Sequence, residues 1–128
     1  MDIFTQLSNE HTTLSPIIES IRAAVEAGEK ITLLAQLAMN RAALSGELDA
    51  HIALEENEAF HRAEEAVGTD IVATFREEHT EIQALRDEML AQAQAGTISF
   101  SLCLQFCDCI EVHMLREDAM LFPSVVTA

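Results

Sequence analysis

The sequence predicts an all-α domain, an antiparallel up-down four-helix bundle, and three observations carry the helical part of that prediction. Apolar residues recur at alternating steps of three and four along four long stretches. Only four Gly and two Pro interrupt 128 residues, and most of them fall where a stretch ends. The second half of the chain also repeats the motifs of the first, so two helical hairpins related by duplication account for the whole length. Apolar residues make up 49%, which excludes a disordered chain and leaves one domain spanning 1–128.

The first stretch places Phe4, Leu7, His11, Leu14, Ile18, Ile21 and Val25 on one face and stops at Gly28. Pro16 lies within it, which predicts a kink just after His11. The second runs from about Ile31 to Ala66, with Leu34, Leu37, Leu44, Leu48, His51 and Glu55 inward, and Gly68 closes it. Thr69 or Asp70 is the expected cap of the third, whose inward line is Val72, Phe75, His79, Ile82, Arg86 and Met89, ending at Gly96. Thr97 or Ser99 opens the fourth, where Cys103, Phe106, Ile110, His113, Glu117 and Met120 keep the spacing and Pro123 is the expected stop. Short connections between long helices imply antiparallel neighbours.

Seven basic residues against twenty-two acidic ones give a net charge of −15. That charge repels phosphate backbones and anionic membrane surfaces, so neither nucleic acid nor membrane is an expected partner. The start, Met1-Asp2-Ile3-Phe4-Thr5, has no basic segment before an apolar run, and no stretch reaches the ~18 apolar residues of a membrane span. A cytoplasmic location is the expectation. Three Cys, at 103, 107 and 109, do not form the framework of a small secreted domain and read as free thiols.

The chemistry lies in the repeat. His51-Ile52-Ala53-Leu54-Glu55-Glu56 runs on to Phe60, and His113-Met114-Leu115-Arg116-Glu117-Asp118 runs on to Phe122. A His followed four residues later by a Glu stacks imidazole and carboxylate about one turn apart on one helix face. Glu10-His11-Thr12 precedes the first pair by 40 residues and Glu78-His79-Thr80 precedes the second by 34. His11, His51, His79 and His113 therefore all sit on core stripes, with Glu55 and Glu117 one turn beyond two of them.

Two carboxylates at one level of a core repel each other and lose their hydration, so positive charge belongs between them. A protonated His could supply it. Four imidazoles and two carboxylates fit a pair of divalent or trivalent metal ions better. Each Glu would bridge, each ion would take about two imidazoles, and the ions would stand ~3.5–4 Å apart, as in other two-metal sites. Positions remain for an oxo or hydroxo bridge and an outside ligand. Imidazole with carboxylate suits non-heme iron, with Mn or Zn as substitutes. A ferritin-like arrangement needs two Glu-x-x-His motifs, and only Glu58-Ala59-Phe60-His61 has that order.

These motifs, over nearly the whole chain and including Leu121-Phe122-Pro123, resemble the hemerythrin-like (HHE cation-binding) family. The resemblance implies a four-helix bundle with a non-heme di-iron centre and His11, His51, Glu55, His79, His113 and Glu117 as ligands. Glu117, four residues after His113, resembles bacterial and regulatory members, whereas oxygen carriers place an Asp five residues after that His, where Asp118 stands. Both positions remain open on the sequence. Oxygen carriers also place a second His four residues before the one on helix three, and here that residue is Phe75. His61 is the only remaining His, at a place where Glu58 or Arg62 faces inward more naturally; Glu47 and Glu56 read as solvated residues first and extra ligands second.

Without Tyr or Trp the usual protein-radical partner is missing. The expected function is a di-iron protein that binds or senses a small diatomic partner, dioxygen or nitric oxide, or handles iron. The alternative is a redox enzyme with ferroxidase or peroxide-reducing activity, or an iron–sulfur repair role. A metal-free scaffold comes third.

Overall fold

In the computed structural model, which describes residues 2–126, helix accounts for nearly all of the chain and no strand occurs among the described residues. The segments are α1 (Ile3–Glu26), α2 (Lys30–Met39), α3 (Leu48–Leu54), α4 (Phe60–Val67), α5 (Thr69–Gln94), α6 (Phe100–Arg116) and α7 (Phe122–Val126). Three π turns, Ala43–Glu47, Glu55–Ala59 and Glu117–Leu121, are spliced among them. The breaks at 27–29, 68 and 95–99 divide the chain into four arms: α1, α2 to α4, α5, and α6 with α7.

Local chemistry explains the arm ends. Asp2 accepts from the backbone N–H groups of Phe4 at 2.9 Å and Thr5 at 3.2 Å, capping α1. Gly28, at φ +67°, takes the left-handed turn that satisfies the last carbonyls. Between α4 and α5 the expected cap at Thr69 or Asp70 is replaced by Gly68, whose φ of +94° lets the chain reverse within one residue. Ser99 caps α6 as expected, accepting from the Leu102 N–H.

Contacts between arms run in opposite senses. Along α1 and α6, Ser8 meets Asp118, the Ile18 carbonyl meets Cys107, and Arg22 meets Asp108. On the other side, Arg76, His79, Gln83 and Gln94 of α5 meet Glu64, Glu55, Asp49 and Arg41 in turn.

The apolar interior forms two clusters. One gathers Leu14, Ile18, Leu33, Leu44, Ile82, Phe106 and Ile110 among others, and the smaller one holds Phe4, Leu7, Phe60, Phe75, Leu121 and Phe122. Between Leu7 and Leu14 on α1, and between Phe75 and Ile82 on α5, a buried polar layer separates the two.

Several expectations need correction. Leu33, not Leu34, faces inward on α2, one turn before Leu37. Met120 is 64% exposed while Leu121 and Phe122 are buried. The π turn beginning at Glu117 adds a residue to the local repeat, moving the inward step from three to four and five. The same shift after Glu55 buries Ala59 and Phe60 and leaves Glu58 and Arg62 outside, with the Arg62 guanidinium 4.7 Å from the centre of the Phe4 ring. Pro123 does not end the last arm: it is the second residue of α7, just past a π turn that has already interrupted the ladder its missing N–H would have joined. Pro16 lies within α1, which spans Ile3–Glu26.

Arg86, buried on α5, ties the first π turn in place. Its Nη1 donates to the Leu44 carbonyl at 3.1 Å and to Asp49 at 2.7 Å. Arg86→Ala is expected to lower the unfolding free energy by about 1.5–3 kcal/mol, the usual worth of hydrogen bonds to a charged group. Urea denaturation checks this, and an unchanged midpoint would refute the stapling role.

Candidate metal centre

All six residues that the sequence singles out converge in the polar layer. His11 comes from α1, His51 from α3, His79 from α5 and His113 from α6, while Glu55 and Glu117 each open a π turn. Both glutamates are fully buried and the histidines are at most 5% exposed. They form two overlapping groups, His11, His51, Glu55, Glu117 and His79, His113, Glu55, Glu117, in which one donor atom per residue lies within 4.8 Å of the others. Each hairpin thus contributes a pair of imidazoles and one carboxylate common to both groups.

The imidazoles are oriented from outside. His11 Nδ1 donates to Asp118 at 2.9 Å, and the Nδ1 atoms of His51, His79 and His113 donate to Glu10, Glu56 and Glu78, each at 2.7 Å. A carboxylate can only accept, so every Nδ1 carries the proton and every neutral ring turns a bare Nε2 inward. Asp118 and Glu56 are therefore orienting residues at the rim rather than members of the inner groups. Glu10 and Glu78 do the same from the Glu-His dipeptides.

The inward atoms are then almost all acceptors. His51 and His79 Nε2 stand 3.2 and 3.1 Å from Glu55 Oε1. His11 and His113 Nε2 stand 3.1 Å from Glu117 Oε1 and Oε2. The Nε2 atoms of His11 and His51 are themselves 3.1 Å apart. Glu55 Oε2, His113 Nε2 and both Glu117 oxygens have no hydrogen-bond partner despite these short separations. Acceptors facing acceptors in a dry core need cations between them.

Protons distribute unequally when no cation neutralises the layer. Burial drives Glu117 well above the ordinary carboxylate range, and the charge of Glu55 beside it pushes the same way. Burial also opposes ionisation of Glu55, but the neighbouring Glu117, His51 and His79 outweigh it and hold this carboxyl well below its usual range. Burial and the neighbouring His79 lower His113 to about 4.

The family model for the hemerythrin HHE cation binding domain matches residues 2–125. The chain belongs to that family. No matching curated protein or solved structure was found. Membership in a cation-binding family agrees with the geometry: the buried His and Glu groups of this hemerythrin-like domain are fit to hold metal ions.

Other candidates fall outside the layer. His61 and Glu47 are exposed. Phe75, where oxygen carriers have a further His, is buried edge-on to the His113 ring at 5.6 Å. The π turns bring Phe60 and Phe122 into stacks on His79 and His11, with ring centroids 5.1 and 5.9 Å apart. All three cysteines are free thiols. Burial pushes Cys103 up to about 11 and Cys107 up to about 12, so both pack as small apolar groups and carry no thiolate at neutral pH. No helix among the described residues is long and apolar enough to cross a membrane.

Glu117→Gln tests the buried charge. A carboxyl whose pKa is raised by folding favours the folded state at low pH, and this contribution is lost as pH rises from its unfolded value through the folded one. The amide never ionises. Metal-free Glu117→Gln is therefore expected to unfold at a higher temperature than metal-free parent protein at pH 8, with the difference shrinking toward pH 5; equal midpoints at pH 8 would refute it.

Proposed function

We propose that this hemerythrin-like domain holds two iron ions and uses them to bind or sense a small diatomic molecule, dioxygen or nitric oxide, or to handle iron. His11 and His51 would hold one ion, His79 and His113 the other, and Glu55 and Glu117 would bridge both. The reading includes the four arms as an antiparallel up-down bundle, consistent with the opposed contacts along α1 with α6 and along α5 with the second arm. It also places the protein in the cytoplasm, a reducing setting that suits three free thiols.

The observation that carries this reading is the inward layer of bare Nε2 and carboxylate oxygens, with four buried atoms lacking any hydrogen bond. Bound iron would supply a charge that switches between ferrous and ferric and an open position for a small ligand. The protein supplies the rest. The outer carboxylates fix each ring's tautomer and orientation, and Phe60 and Phe122 keep water from the imidazole faces on one side. On the other side a void of about 10 Å³ touches His51, Glu55, His79 and His113 and is otherwise walled by Leu14, Leu48, Ile52, Ile82, Ile110 and Met114. Such a space holds about one water-sized molecule. It favours a diatomic over an organic substrate.

Protein produced with iron is expected to contain about two irons per chain, one for each of the two donor groups. Its visible absorption should change reversibly when the reduced form meets dioxygen or nitric oxide. Absence of metal from an iron-replete preparation would overturn the reading, and sustained consumption of peroxide would favour the redox enzyme. Glu55→Ala, which removes a carboxylate common to both groups, is expected to lose both ions; full retention of the two would refute the bridging role.

A further inference from the structure

The two halves of the centre match in their inner atoms and in the carboxylates that orient them, and they part company one layer further out. Three residues before His11 stands Ser8, and three before His79 stands Arg76. Three residues after His51 stands Leu54, and three after His113 stands Arg116. The duplication thus carries neutral residues in its first copy where the second has arginines.

These positions act on the orienting carboxylates. Asp118, which holds His11, receives the Ser8 hydroxyl at 2.7 Å, and Glu10, which holds His51, receives the Gln6 amide at 3.2 Å. Both partners are neutral. Glu78, which holds His113, is paired with the Arg116 guanidinium, which also lies 4.7 Å from the Phe75 ring centre. Glu56, which holds His79, has Arg76 Nη1 at 3.9 Å from its carboxylate and 3.3 Å from its backbone carbonyl. Arg76 divides its charge with Glu64 at 2.8 Å, so Arg116 exerts the stronger effect of the two.

An imidazole that gives its Nδ1–H to a carboxylate gains electron density at Nε2 and becomes a better metal donor. A guanidinium on that carboxylate withdraws part of the effect, because the same oxygens now serve a cation as well. His11 and His51 therefore present stronger donors than His79 and His113, although all four rings are equally buried and similarly oriented.

Resting on the di-metal reading above, we propose that Arg76 and Arg116 make the two cation positions unequal: a divalent transition-metal ion fills the His11–His51 position first, and the His79–His113 position is the weaker, more exchangeable one. Outer partners of metal-bound histidines typically change affinity by about 10–100-fold, and a separation of about tenfold between the two steps is expected here. Arg76 and Arg116 are positioning residues in this account, acting on the ions only through Glu56 and Glu78.

The test uses the full chain, stripped by chelator and given cobalt(II) under anaerobic conditions. At one equivalent, anomalous scattering from crystals is expected to place cobalt between His11 and His51, and absorption titration should resolve a second step about tenfold weaker. The variant Arg76→Ser with Arg116→Leu copies the first half onto the second. It is expected to tighten the second step about tenfold and to divide one equivalent between the positions, whereas Arg116→Lys, which keeps the charge, should restore most of the native order. Tighter binding separates this effect from simple structural damage, which weakens it. Equal occupancy in the native chain, a preference for His79–His113, or an unchanged second step in the double variant would overturn the proposal. If the double variant fails to fold, the native cobalt position and the Arg116→Gln titration decide in its place. No cobalt bound at either position would instead overturn the di-metal reading itself.

Discussion

A layer of hydrogen-bond acceptors with no donors of its own lies across the middle of this molecule, and the rest of the structure is arranged around it. Four imidazole Nε2 atoms and two carboxylates share a space buried from bulk solvent. Nothing in the chain's own neutral chemistry satisfies them, since each ring has already spent its proton outward on Asp118, Glu10, Glu56 or Glu78. Positive charge is the missing partner, whether as metal ions or, in their absence, as protons held by Glu117 and His51.

Such a layer destabilises a small domain unless it is flanked by well-packed apolar structure. The two hydrophobic clusters provide that on either side, and the larger contains many of the core residues with the least exposure, including Ile18, Ile21, Leu33 and Phe106. The smaller cluster does double duty. Its Phe60 and Phe122 stack on imidazole rings of the polar layer, so packing and exclusion of water are the same contacts. Low polarity around the layer strengthens every charge interaction within it, favourable or not.

Much of this was legible because helix periodicity is a strong signal where it is regular. The inward faces of α1 and α5 follow steps of three and four without exception from Phe4 to Val25 and from Val72 to Met89, and the buried residues fall on those steps. The six inner residues were readable for the same reason, reinforced by duplication. What periodicity could not reveal were the π turns, which change the step itself and move Met120 out and Leu121 in. No composition signal marks such a turn; the only hint lay in Phe60 and Phe122, whose matching distance from Glu55 and Glu117 is five residues instead of three or four. The orienting carboxylates were present in the repeat as Glu10 and Glu78, but their partners lie on other helices, and only packing in three dimensions assigns them.

The pattern of those assignments explains why two hairpins are needed and one does not suffice. Glu10 orients His51 and Glu78 orients His113 within their own hairpins, while Glu56 reaches His79 and Asp118 reaches His11 across to the other. Each hairpin therefore orients one of its own imidazoles and one of its neighbour's, and both donor groups require Glu55 and Glu117 together. Neither half can form a complete cation position alone. A cation held by either group would also hold the two hairpins together, so free energy of cation binding would also be free energy of folding. A change in the inner layer removes support from both halves at once. The two copies differ one layer out, at Ser8 and Arg76 and at Leu54 and Arg116, where a side chain touches a single orienting carboxylate or none and so acts on one cation position rather than both.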